Sequence, residues 1–125
     1  MKLRIQGNSL RLRLTQPEVQ RISRQEAVQE KMYIGINQPA LIYTLAVHAS
    51  DDPTTLTFQN YEIKVSLPVS EALPWATSDQ VGIEHRLPVV DDQTLHVLIE
   101  KDFQCLHRDE QEEPDQFPNP AASEE

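Results

Sequence analysis

The sequence predicts a mainly β protein of the α+β kind, in which one β-β-α-β-β unit occurs twice. Two observations carry that expectation. Apolar and polar residues alternate through several short runs, the mark of half-buried strands. The same order of runs then returns 53 residues further along the 125-residue chain. The result is eight strands and two short helices. The strands are expected to form one eight-stranded antiparallel sheet, rolled into a barrel or arranged about a pseudo-twofold axis. Rolling removes the edge strands that otherwise invite aggregation.

The first two strands share the stretch KLRIQGNSLRLRL, residues 2–14. Gly7-Asn8 supplies a two-residue hairpin turn, so Lys2 faces Arg13, Leu3 Leu12, Arg4 Arg11, Ile5 Leu10 and Gln6 Ser9. One face of that hairpin is apolar and the other carries Lys2, Arg4, Arg11 and Arg13. A short helix follows, because Thr15-Gln16-Pro17-Glu18 has capping-box spacing and Val19 and Ile22 then give it an apolar edge. Two closing strands are expected over residues 29–36 and 40–48, linked by Asn37-Gln38-Pro39.

The second unit repeats this plan. Leu56-Thr57-Phe58-Gln59 matches Leu3-Arg4-Ile5-Gln6, and Ile63-Lys64-Val65-Ser66-Leu67 matches Leu10-Arg11-Leu12-Arg13-Leu14. Alternation alone produces the apolar matches. The shared Gln, the shared turn length and the match of Glu71 to Glu18 point to an internal duplication, with pseudo-repeats 1–50 and 54–103. Ser70 is expected to cap a turn through Glu71, Ala72 and Leu73, with Pro74 limiting its length and Trp75 anchoring it on the sheet. The last strands are expected over 81–89 and 94–101, linked by Val90-Asp91-Asp92-Gln93 in turn conformation, with the repeat drifting by one residue. Leu3, Ile5, Leu12, Leu45, Phe58, Val65, Val97 and Ile99 are expected to share one core.

Residues 1–105 read as one globular domain and residues 106–125 as an acidic, Pro-containing, flexible tail. Phe103, Leu106 and Phe117 are the sizeable apolar residues of that closing stretch. No apolar run approaches the roughly 18–20 residues of a membrane helix, and Gln6, Asn8 and Arg11 interrupt any signal-peptide core. Cys105 is the single cysteine, so no intrachain disulfide points to secretion. A cytoplasmic location is expected, without membrane attachment.

Charge is unevenly spread. Residues 1–24 carry a net +5 and residues 106–125 a net -6, within a chain of formal net charge -9. That asymmetry suggests an electrostatic partner or an internal pairing. The overall acidity argues against sequence-independent nucleic-acid binding, which needs a basic field to displace counterions.

The opening KLRIQGNSLRLRLT, the central SDQVGIE and the closing EKDFQCL with FPNP resemble a family of small bacterial proteins known only as a domain of unknown function. The resemblance runs over nearly the whole chain and implies a bacterial, cytoplasmic protein. It supplies no activity, substrate or catalytic residue.

Function therefore rests on the residues. Like charges opposite each other in a sheet are destabilising, so the cationic hairpin face needs a reason. The plain one is a solvated face relieved by nearby acids. The sharper one is an anion-binding face formed by Lys2, Arg4, Arg11 and Arg13 with Lys64, since guanidinium forks suit phosphate and carboxylate. Its ligand would be a small anion or an acidic peptide segment, including the chain's own residues 108–125. An Arg-rich eight-stranded barrel also suggests, by fold-level analogy, a metal-dependent phosphohydrolase of the triphosphate-tunnel (CYTH-like) type using Arg4, Arg11, Arg13 and Lys64. The alternating glutamates of those enzymes are missing here; Glu62-Ile63-Lys64 is a fragment at best.

The four histidines, at 48, 85, 96 and 107, have no mutual spacing suited to a metal, and Cys105-Leu106-His107 lacks a second cysteine to complete a zinc set. No nucleophile elbow is present, and three glycines exclude a phosphate-binding loop or dinucleotide fingerprint. A non-enzymatic binding module without cofactor is the expectation that remains in front.

Overall fold

Alternation becomes strand at eight places in the computed structural model, which describes residues 1–103. The order is β1 (Lys2–Gln6), β2 (Ser9–Leu14), α1 (Gln16–Ser23), β3 (Val28–Met32), β4 (Leu41–His48), β5 (Thr55–Gln59), β6 (Glu62–Pro68), α2 (Val69–Ala76), β7 (Gly82–Pro88) and β8 (Thr94–Lys101). A shift of 53 residues carries the bounds of β1, α1 and β4 onto those of β5, α2 and β8.

The strands do not form one antiparallel sheet, and no barrel closes. They form two four-stranded mixed sheets, a first of order β1-β2-β8-β7 and a second of order β3-β4-β6-β5. The helices explain the difference. α1 carries the chain from β2 in the first sheet to β3 in the second, and α2 carries it back from β6 to β7. Each sheet therefore joins the opening hairpin of one copy to the closing hairpin of the other. The junctions are parallel, β2 with β8 and β4 with β6. Exchanging β1, β2, β3 and β4 with β5, β6, β7 and β8 converts one sheet order into the other.

The opening hairpins have the register expected from the sequence, Lys2↔Arg13 through Gln6↔Ser9 and Thr55↔Ser66 through Gln59↔Glu62. Their turns differ. Gly7 takes φ 54°, whereas Asn60 and Tyr61 both take positive φ, 50° and 64°. A bulky Tyr is uncommon there, and its carbonyl is held by the Ile42 N–H at 2.9 Å. The closing hairpins diverge more. β3 ends at Met32 rather than at residue 36, leaving a loop over 33–40, while β7 and β8 are joined through 89–93 with Asp91 and Asp92 in left-handed turn conformation.

α1 begins as its capping box requires: the Glu18 carboxylate accepts hydrogen bonds from the Thr15 N–H at 2.9 Å and the Thr15 hydroxyl at 3.0 Å. α2 departs from expectation. Pro68, not Ser70, precedes its first residue, and the helix continues through Pro74 to Ala76. Burial outweighs the hydrogen bond that Pro74 cannot make: Trp75 is fully buried, and its Nε1–H donates to the Val81 carbonyl at 3.1 Å.

One core takes the inner faces of both sheets and the packed sides of both helices: Leu10, Leu12, Leu14, Val19, Ile22, Leu45, Val65, Leu67, Trp75, Val97 and Ile99 are among its members. Leu3 packs partly against it. Ile5 and Phe58 do not join it, being 58% and 66% exposed. They occupy equivalent places on the outermost strands β1 and β5, beside the hairpin turns. The helices follow the other ends of β2 and β6 and pack on each other, so the inner faces are covered there and open towards the turns. Cys105, Leu106, His107, Phe117 and the acidic segment lie outside the described residues.

Candidate anion-binding face

β2 alternates strictly, with Leu10, Leu12 and Leu14 buried and Ser9, Arg11 and Arg13 turned outward. Antiparallel pairing sets Arg4 against Arg11 and Lys2 against Arg13, and parallel pairing sets β8 along the other side. The turn is tied to β8 as well: Asn8 Nδ2 donates to the Thr94 carbonyl at 2.7 Å, and its own carbonyl accepts from the His96 N–H at 3.1 Å.

β8 supplies the charge that lets these cations share a face. Arg11 Nε and Arg13 Nε lie 3.2 and 3.3 Å from the same Glu100 oxygen, and Lys2 Nζ lies 3.1 Å from Asp102. Such surface pairs are worth little individually, about 0–1 kcal/mol, but they offset the like-charge contacts. Arg4 has no carboxylate partner among the described residues. With Gln6, Ser9 and Arg11 it lines a half-open cavity of about 110 Å³. Two guanidinium groups, an amide and a hydroxyl make that lining rich in hydrogen-bond donors.

His96 lies on β8, directly across from Ser9 of the cavity lining. Its Nδ1 is 3.5 Å from the Ser9 hydroxyl. Its Nε2 lies 3.0 Å from Glu84 on β7. That nitrogen is nonetheless buried without a well-aligned hydrogen bond, so Glu84 lies close to it without the direction of one.

A second pair of polar sites lies on the inner faces, at equivalent places in the two copies. In the first, the Met1 amino group reaches Glu18 at 2.5 Å and Glu30 at 3.1 Å. In the second, Glu71 accepts from the Thr54 hydroxyl at 2.7 Å and meets His85 Nε2 at 2.8 Å. Burial pulls the Met1 amine pKa down, but hydrogen bonds and charges from Glu18 and Glu30 outweigh it and leave the amine above its ordinary value. Burial likewise pushes Glu18 up, and hydrogen bonds from the amine and Thr15 bring it below the usual carboxylate range. Tyr43 is raised by burial and by the charges of Glu30 and Glu18.

Of the five residues singled out in the sequence, Lys2, Arg4, Arg11 and Arg13 share the outer face of the first sheet. Lys64 does not join them. It sits on β6, on the outer face of the second sheet. His96, Glu84 and Glu100 escape a reading of the sequence because only the parallel β2–β8 pairing brings them to the hairpin. No group of three or more His, Cys, Asp or Glu suited to a metal ion occurs among the described residues. Among them, too, no helix is long and apolar enough to cross a membrane.

The fold and face define a class: a two-sheet domain of mixed topology with two helices, and a donor-lined cavity on one sheet. The chain belongs to a family of unknown function (DUF7009), whose match covers residues 1–121. No curated protein and no solved structure matches it.

Proposed function

We propose that the protein is a non-enzymatic binding module, and that the outer face of its first sheet takes an anionic group at Arg4 and Arg11. The observation that carries this reading is the cavity lined by Arg4, Gln6, Ser9 and Arg11, with Arg4 unpartnered among the described residues. Lys2 and Arg13 have a different part. They stand outside the cavity lining and meet Asp102 and Glu100, which makes them the margin of the face, whereas Arg11 reaches both Glu100 and the cavity. The tunnel enzymes suggested by the arginine-rich hairpin need a closed barrel, and two open sheets give that analogy no support.

An acidic segment of the same chain is a ligand of the right sign. Residues 108–125 carry seven acids against Arg108, and the chain leaves β8 beside the face, where Asp102 meets Lys2. Tethering makes that encounter intramolecular.

Titration calorimetry with tripolyphosphate tests the reading. The wild-type protein is expected to bind at low salt and more weakly as salt rises. Arg4→Ala is expected to lose about tenfold to a hundredfold in affinity, the worth of a charged hydrogen-bonded contact, with unchanged thermal stability. Equal affinity in the wild type and Arg4→Ala would remove the proposed site.

A further inference from the structure

The two copies surround the equivalent outward positions Ser9 and Glu62 with different rows of side chains. In the second sheet the row is closed: Thr44 Oγ1 donates to Glu62 at 2.6 Å, and Gln29 Nε2 donates to Thr44 at 3.1 Å and to Glu62 at 3.4 Å. In the first sheet the row is Ser9, His96 and Glu84, with His96 where the second sheet has Ile42, and it is open. The Ser9–His96 contact is long, one imidazole nitrogen lacks an aligned partner, and Ser9 lines the cavity.

Resting on the anion-binding reading above, we infer that the ligand group is a phosphoryl group and that its binding is coupled to proton uptake by His96, relayed through the Ser9 hydroxyl. The first part follows from where the donors stand. A planar carboxylate is satisfied by a single guanidinium fork. Here Arg4 and Gln6 line the cavity from β1, and Ser9 and Arg11 from β2. Donors on two strands match a tetrahedral oxyanion, which presents oxygens in several directions. The cavity is also far smaller than the roughly 300–1,000 Å³ of a pocket for a whole ligand. It holds the phosphoryl end of a molecule, or free phosphate, with anything larger lying outside.

The second part follows from proton accounting. The groups facing His96 are Ser9 and Arg11 on β2, and Glu84 and Arg86 on β7. Glu84, 3.0 Å from Nε2, favours a proton on that nitrogen. Without ligand, Nδ1 is then free to accept from the Ser9 hydroxyl. When the hydroxyl turns to donate to a phosphoryl oxygen, Nδ1 loses its donor. A proton taken from solvent restores the contact, with Nδ1–H donating to Ser9 Oγ. No bond between heavy atoms forms or breaks; the new Nδ1–H bond takes its proton from the buffer. His96 becomes an imidazolium held between Glu84 and the site, and it acts as a positioning residue behind Ser9.

Calorimetry with sulfate, a tetrahedral oxyanion that does not titrate near neutral pH, tests this in Tris and in MOPS. A difference in apparent enthalpy between those buffers reports net proton uptake. Inorganic phosphate and succinate complete the set of probes. The wild type is expected to take up protons with sulfate and to bind succinate at least tenfold more weakly than phosphate. His96→Gln and Ser9→Ala are each expected to retain measurable sulfate binding and to lose the proton uptake. Persistent uptake in either variant, or succinate binding as tightly as phosphate, overturns the inference while leaving the anion-binding reading intact. Absence of binding by every anion in the wild type overturns both. Two independent variants, each checked for its native circular-dichroism spectrum, keep a folding defect from being read as lost coupling.

Discussion

On β1 and β2 the outward positions hold Lys2, Arg4, Arg11 and Arg13; on β5 and β6 the same positions hold Thr55, Thr57, Lys64 and Ser66. The inward positions hardly differ. Leu10, Leu12 and Leu14 are answered by Ile63, Val65 and Leu67, all in the core or packed against it. The comparison separates two layers of the sequence. Inward residues specify a hairpin that any copy must have, because they bury against the helices and the other sheet. Outward residues are free to differ, and in the first copy they carry charge that the second copy's β8 partly balances through Glu100.

Breaking the shared layer has the largest expected effect. Leu12 and Val65 occupy equivalent buried places, 2% and 1% exposed. Leu12→Asp and Val65→Asp should each unfold the protein, since an unpaired buried charge costs several kcal/mol. Ile5→Asp and Phe58→Asp, at the exposed ends of the same faces, should shift stability by about 1 kcal/mol or less. Chemical denaturation of the four variants checks this. A cooperative, native-like Leu12→Asp protein would contradict the core described above.

Much of that layer is legible in the sequence, because side-chain alternation and a two-residue turn fix a hairpin locally. Lys2↔Arg13 and its successors follow from Gly7-Asn8 and nothing more distant. The sheet partners are not legible in this way. Whether β2 lies beside β3 or beside β8 depends on where α1 delivers the chain, and alternation is blind to that. An all-antiparallel expectation therefore misses the β2–β8 junction, and with it Glu100, His96 and Glu84. Phe58 and Ile5 mislead for a related reason. Their place in the pattern is inward, but burial requires something opposite, and near the turns the faces open. Pro74 misleads because local propensity was outweighed by the burial of Trp75.

A smaller effect sharpens the comparison at the inner polar sites, where Met1 and Thr54 are equivalent and face Glu18 and Glu71. The Met1 amine is raised, so its stabilisation is complete below about pH 8, the ordinary α-amino value, and is lost as pH rises through the folded value. Glu18 is lowered, so its stabilisation is present above the ordinary carboxylate range and is lost as pH falls through its folded value. Urea unfolding across the pH scale should show both limbs. Glu18→Gln should remove Glu18's contribution to the acid limb and weaken the alkaline one, leaving Glu30 as the amine's remaining carboxylate partner. Unchanged limbs in that variant would show that the pair does not couple to folding.

The smallest effect concerns the acidic segment. Truncation after His107 should raise affinity for tripolyphosphate by about two- to fivefold at low salt, the scale of weak exposed pairs. The gain should vanish near physiological ionic strength, where screening acts within about 8 Å. Equal affinities at low salt would show that residues 108–125 do not compete for the face.

The central claim is that one copy carries the anion site and its equivalent does not. Backbone amide NMR during a tripolyphosphate titration tests it most directly, since both hairpins report in one experiment. Shifts are expected at Arg4, Gln6, Ser9 and Arg11, with saturation at a common affinity. Thr57, Gln59, Glu62 and Lys64, at the equivalent places on the second sheet, should stay in position. Comparable shifts on both hairpins, or shifts confined to the second, would contradict the account.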